Sequence, residues 1–221
     1  MRTELRNQMS QMVRSDKPKW KFGDPAQMEV WVSEYQPGRL VAGLRLTDVR
    51  MRQHDGREVE RQGALRPTVA AAMVGLAGEP SGLLLDPCCG SGTILAEALA
   101  KGWEAEGVDN DPSAVEIARR NVPAASVHLG DATKLDREES SVSACVSNLP
   151  FGQQFTVQGD MTEWLRAVLG KMARVTISGG WVVLLAPTIP RSVVPDSLRM
   201  RDKYPLWLLG TKTTIWTFER A

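Results

Sequence analysis

The chain has 221 residues, enough for one domain with an extension and a sizeable buried core. Its 27 Lys+Arg against 26 Asp+Glu leave a formal charge of +1, so the molecule as a whole carries no strong bias toward nucleic acid or an acidic surface. No apolar run reaches the roughly 18 residues of a membrane span, Met1–Met12 lacks the apolar centre of a signal peptide, and the three cysteines suit neither a disulfide framework nor a zinc site. A cytoplasmic protein with no membrane and no metal is expected.

Charge is unevenly spread. Residues 1–66 hold 13 Lys+Arg against 9 Asp+Glu, whereas residues 67–221 hold 14 against 17. Met1–Arg14 reads as a polar helix. Ser15–Pro25 reads as irregular, with Lys17, Lys19 and Lys21 around Trp20 and Phe22. Such interleaving can stack on and neutralise a nucleic-acid strand, and it can equally anchor a terminal arm on a core. Met28–Tyr35 and Arg39–Asp48 flank Gln36-Pro37-Gly38, which predicts a hairpin. His54–Arg61 is a charged connection. Residues 1–66 are thus read as a basic extension with a β-hairpin, ahead of a second unit over 67–221.

Arg66-Pro67 opens an amphipathic helix to about Ala77, stopped by Gly78 and Pro80. A regular alternation follows: strand 82–86, helix 91–101, strand 104–108, helix 112–121, strand 125–129, strand 142–147, helix 160–175 and strand 180–186. Tyr204–Leu209 and Thr213–Glu219 then bracket Gly210-Thr211-Lys212 as an antiparallel hairpin. The predicted class is α/β, a doubly wound, mostly parallel seven-stranded sheet closed by that hairpin.

Chemistry gathers at the strand ends. Gly82-Leu83-Leu84-Leu85-Asp86-Pro87-Cys88-Cys89-Gly90-Ser91-Gly92-Thr93 is a buried strand, a turn of small residues and a helix start. It places backbone N–H groups beside a crevice, and Gly90 and Gly92 permit close approach of a ligand. Asp86 would compete with a phosphate but suits an ammonium group. That points to a cofactor with a cationic amino-acid end, as S-adenosylmethionine has. The third glycine of the dinucleotide fingerprint is missing. Asp109 ends the next strand in Gly107-Val108-Asp109-Asn110-Asp111, 17 residues after Gly92. An acid there can hold both hydroxyls of a ribose, and Asp111 before Pro112 suits a helix cap.

Asp86-Pro87-Cys88-Cys89-Gly90-Ser91-Gly92-Thr93 resembles the first motif of class I S-adenosylmethionine-dependent methyltransferases. Asn148-Leu149-Pro150-Phe151 resembles the Asn/Asp-Pro-Pro-Tyr/Phe motif of those that methylate exocyclic or side-chain amines. With Leu149 in place of the first Pro, the two motifs together are most similar to THUMP-associated RNA methyltransferases, which make N2-methylguanine in transfer RNA. The resemblance spans roughly residues 65–221. It implies a cofactor held by Asp86, Pro87, Cys88, Gly90, Ser91 and Gly92, with its ribose on Asp109. Asn110, Asp131 and Ala132 would border the adenine. Thr68, in Leu65–Ala72, and Asn148 would border the methionine end.

The tetrad's residue types suit amine chemistry. An aromatic amine is a poor nucleophile because its lone pair is drawn into the ring. The Asn148 side-chain oxygen and a carbonyl from Leu149 or Pro150 can accept both amine hydrogens and stabilise charge developing on nitrogen. Pro150 offers no competing N–H, and Phe151 offers a face for a flipped base. The expected reaction is in-line methyl transfer to guanine N2 in RNA, with transfer RNA favoured. Adenine N6 in RNA or DNA, or an amine of a protein or small molecule, is the alternative substrate. A non-catalytic cofactor-binding subunit and a nicotinamide-dependent oxidoreductase are the other classes, and the latter leaves the tetrad without a task. A THUMP domain takes on the order of a hundred residues, and residues 1–66 do not read as one. A separate RNA-binding partner or a homodimer is expected in its place.

Overall fold

Residues 2–17, 19, 29–45, 64–150, 160–208 and 210–221 are described in the structure, a computed structural model. The chain divides into two compact units, Met1–Arg52 and Gln53–Ala221. In the first, Arg2–Asp16 is helix α1, and Glu29–Gln36 (β1) pairs antiparallel with Arg39–Arg45 (β2). The predicted hairpin forms around Pro37-Gly38, where Gly38 sits at φ 73° and its N–H donates to Glu34 Oε1 at 2.8 Å. Trp20, Lys21, Phe22, the 54–61 connection and Phe151 lie outside the described residues.

The second unit runs α2 (Pro67–Leu76), β3 (Leu83–Asp86), α3 (Thr93–Lys101), β4 (Glu104–Asp109), α4 (Pro112–Asn121), β5 (Ser126–Leu129), β6 (Val142–Asn148), α5 (Met161–Val175), β7 (Thr176–Ala186), β8 (Leu198–Leu208) and β9 (Thr211–Arg220). The sheet order is β5-β4-β3-β6-β7-β9-β8, with β3 to β7 parallel and β9 antiparallel to both its neighbours. This is the predicted doubly wound sheet. Its order reverses between β3 and β6, and a crevice opens outside the carboxyl ends at such a switch point.

Two cores explain the layering. Alternate residues on each strand point to opposite faces. Leu84, Val146, Val183, Leu185 and Ile215 meet α2, α3 and α4 on one face. Leu85, Cys145, Val182, Leu184 and Phe218 meet Leu165, Val168, Leu169 and Met172 of α5 on the other. Asp111 caps α4 by accepting from the Ser113 N–H at 2.8 Å, as its place before Pro112 predicts. Asp160 caps α5 by accepting from the Thr162 N–H at 2.8 Å.

Two strands, β7 and β8, begin well ahead of their predicted starts. β7 begins at Thr176, because Gly179 and Gly180 form a bulge inside the strand: Val142 pairs with Thr176, but Ala144 pairs with Trp181. A side chain at Gly180 would stand 2.6 Å from the Ser143 carbonyl oxygen, so this bulge needs glycine. β8 begins at Leu198, six residues before its predicted start, because pairing with β9 satisfies a polar backbone stretch that shows no apolar alternation. No helix among the described residues is long and apolar enough to cross a membrane.

Candidate active site

The carboxyl ends of β3, β4 and β6 bring Asp86, Asp109 and Asn148 to one edge of the sheet. Between β3 and α3 the chain turns through Gly90 at φ 53° and Gly92 at φ 85°, a region most side chains avoid. Gly92 is doubly constrained, since a Cβ there would lie 2.9 Å from Cγ2 of Val122, the residue that follows α4. Gly107 serves the same turn from β4. A Cβ on it would lie 2.7 Å from Leu95 and 2.9 Å from the Cys89 side chain. Cys89 therefore fills the space that Gly107 leaves, and burial pushes its thiol pKa up, as it does for Cys88. Their role is packing.

The turn spends its N–H groups differently from expectation. Cys88 donates to Asp86 Oδ1 at 3.1 Å, Cys89 to the Val108 carbonyl at 3.0 Å, Gly90 to Asp109 Oδ2 at 2.8 Å and Gly92 to the Cys89 carbonyl at 2.9 Å. These bonds hold the turn to the ends of β3 and β4. The N–H groups of the first turn of α3 follow this turn, and the helix cannot pair them itself. The Ser91 carbonyl is fixed by the Asn121 side-chain amide at 3.1 Å.

Asp86 is almost fully buried, at 1% relative exposure. Its Oδ1 accepts from the Ser147 hydroxyl at 2.7 Å, and no cation pairs with it among the described residues. Burial raises its pKa to about 7, and the bonds from Ser147 and Cys88 only partly oppose this. A buried carboxylate with no cation is a place where an ammonium group fits. Asp109 accepts from Gly90 and, through Oδ1 at 3.0 Å, from the Asp111 N–H. A carboxylate has about four acceptor positions, so roughly two remain, matching the two hydroxyls of a ribose. Asn110 beside it is exposed.

Asp131 is more committed. Its Oδ1 accepts from the Thr133 N–H at 2.9 Å and hydroxyl at 2.7 Å, capping a short turn at Ala132–Lys134. Partial desolvation raises its pKa, but the Thr133 bonds and Lys134, 3.6 Å from Oδ2, outweigh it and leave the carboxyl below its ordinary value. Only Oδ2 faces a further donor. Ala132 is buried, and Thr68 is exposed in the first turn of α2.

Asn148 closes β6. Its Oδ1 is buried and has no hydrogen-bond partner among the described residues. A desolvated amide oxygen without a donor costs about 1–3 kcal/mol, so a donor arriving there recovers that energy. Leu149 is buried in the α5 core, and its N–H donates to the Leu185 carbonyl at 3.2 Å. A proline at that position could not make this bond, which accounts for leucine before Pro150. Ser147 was not foreseen from sequence as a site residue. Its signal was a serine in the otherwise apolar stretch before Asn148.

The family model described as RMKL-like, methyltransferase domain matches residues 54–202. A tRNA (guanine(10)-N2)-dimethyltransferase of Methanothermobacter thermautotrophicus is 30% identical over 161 residues, covering 69% of this chain and 48% of that protein. The U6 snRNA (guanine-N(2))-methyltransferase THUMPD2 of Homo sapiens is 35% identical over 135 residues, covering 57% of this chain and 26% of that protein. The chain thus spans half or less of the length of these relatives. TrmN from Thermus thermophilus superposes with a TM-score of 0.70 at 24% identity, over 82% of this chain and 57% of that one, which shows a shared fold.

Proposed function

The chain belongs to the RMKL-like methyltransferase domain family, and from that premise we propose that it methylates the exocyclic N2 of guanine in RNA with S-adenosylmethionine as donor. The observation that carries this reading is the buried Oδ1 of Asn148 at the switch-point edge, which has no partner among the described residues. S-adenosylmethionine, when bound, supplies an electrophilic methyl on a positively charged sulfur. Asp86 would receive its ammonium group, the turn over Pro87, Cys88, Gly90, Ser91 and Gly92 would border its methionine end with Thr68, and Asp109 its ribose. Asn110, Asp131 and Ala132 would line the adenine. Asn148 accepts one amine hydrogen and a carbonyl of Leu149 or Pro150 accepts the other, aiming the nitrogen lone pair and stabilising its growing positive charge. Phe151 would stack on the base.

The substrate class follows the names of the matched relatives, with transfer RNA favoured, in the cytoplasm. A separate RNA-binding protein or a second copy of the chain would share the grip on the RNA. The test is single-turnover methyl transfer to guanine-containing RNA, with nucleoside mass spectrometry to locate the methyl group. Asn148→Ala should slow transfer by roughly 10²–10³ with donor affinity little changed, while Asn148→Asp keeps partial activity because a carboxylate still accepts. Near-normal turnover in Asn148→Ala, or methyl found only on adenine, would overturn the reading.

A further inference from the structure

We infer that the β8–β9 hairpin is an RNA-contacting wall of the active site, which takes the single-stranded segment flanking the target base. The inference rests on the proposed RNA methylation and adds a surface to it. Ala186, the last residue of β7, pairs with Thr214. Leu206–Leu208 and Thr211–Thr213 therefore project past the end of β7, by about 10 Å at roughly 3.3 Å per residue. They project on the side where Asn148 stands. Register fixes the lateral distance as well: Asn148, Leu185, Ile215 and Tyr204 form one row across four strands. Three strand spacings put Tyr204 about 14 Å from Asn148.

The chemistry of this wall suits a nucleic-acid strand. Trp207 is 74% exposed and Tyr204 42%, both on the edge strand of the sheet, where alternation turns them to opposite faces. Lys212 lies directly across from Trp207, and Lys203 shares its face two positions along the alternation. Both lysines are exposed and without an ion pair among the described residues, whereas Arg201 is held by Glu219 at 2.6 Å. Residues 198–220 hold five Lys+Arg against two Asp+Glu, while residues 67–197 hold nine against fifteen. The hairpin is thus a basic patch on an acidic domain, and polyanion attraction concentrates there. An exposed aromatic face beside free cations, as at Trp207 with Lys212 and Lys203, is what an unstacked base and its flanking phosphates require. Addition of a strand from another protein is disfavoured, because Pro205 lacks an N–H and Lys203 guards the same edge.

The experiment uses the full chain and a fluorescein-labelled, guanine-containing single-stranded RNA of about a dozen nucleotides, titrated at several salt concentrations. Trp207→Ala should weaken binding about tenfold, and Trp207→Phe should restore most of it, because stacking tolerates any aromatic face. Lys203→Gln with Lys212→Gln should flatten the log–log salt slope by about 0.7 for each lysine removed. Thermal unfolding followed by circular dichroism should be unchanged in all variants. Affinity and slope unchanged in the variants, or no RNA binding by the full chain, would overturn the inference. So would a dimer seen by sedimentation that Trp207→Ala dissolves, since a second copy would then be the occupant. RNA bound through the hairpin without methylation at guanine would instead overturn the proposed function and leave the hairpin surface standing.

Discussion

Asp86 concentrates the electrostatics of the site in one carboxyl. Burial raises it from 3.8 to about 7, so the folded protein keeps a proton that the unfolded chain releases near pH 4. The stabilisation from that proton is fully present below about pH 4 and is lost as pH rises through about 7. Asp86→Asn, which cannot ionise, should therefore flatten the decline of the urea midpoint between about pH 4 and 7 measured on the protein without ligand. A decline just as steep in the variant would mean that another group sets the slope. Donor affinity should run the opposite way, because the proposed ammonium contact needs the carboxylate. Calorimetry with S-adenosylmethionine should show binding tighten as pH rises through about 7, and this gain should vanish in Asp86→Asn. The residue types at Asp86, Asp109 and Asn148 were readable from sequence because each ends a predicted strand. The bond from Ser147 to Asp86 was not, since 61 positions separate them along the chain.

At the scale of elements, the glycine turn and β4 act as one packed unit. Gly107 faces Leu95 of α3 and Cys89 of the turn, too close for any Cβ. Gly107→Ala should cost about 1–3 kcal/mol by overpacking and should also displace the turn that meets Asp109. Chemical denaturation would measure the first effect and S-adenosylmethionine affinity the second. Wild-type stability would show that Cys89 can move aside freely. Helix and strand identity was legible here because a short apolar run, Leu83–Leu85, is set apart from the longer α3 by a turn of small residues. The bulge at Gly179-Gly180 and the early start of β8 were hidden, because a glycine pair reads as a break and Arg199–Lys203 reads as polar coil. Pairing with a distant strand overrides both local signals.

At the scale of the molecule, the unequal charge of residues 1–66 and 67–221 makes a testable claim about the front of the chain. Lys17, Lys19 and Lys21 beside Trp20 and Phe22 should add to RNA affinity, so a chain lacking residues 1–24 should bind RNA more weakly and with a shallower salt dependence. Equal affinity at every salt concentration would assign that segment to packing instead. What the sequence determined by itself was the order of elements, the chemistry at each strand end and the doubly wound class. All of these depend on residue type and on periods a few positions long. The tertiary structure alone decided which strand ends stand side by side, that the turn's N–H groups bond inward to Asp86, Val108 and Asp109, and that Asn148 Oδ1 has no donor among the described residues. It also carried the β8–β9 hairpin, predicted only as a closing element, past the end of β7. Those outcomes depend on register and burial, which arise only when segments far apart in the chain compete for the same hydrogen bonds and the same core.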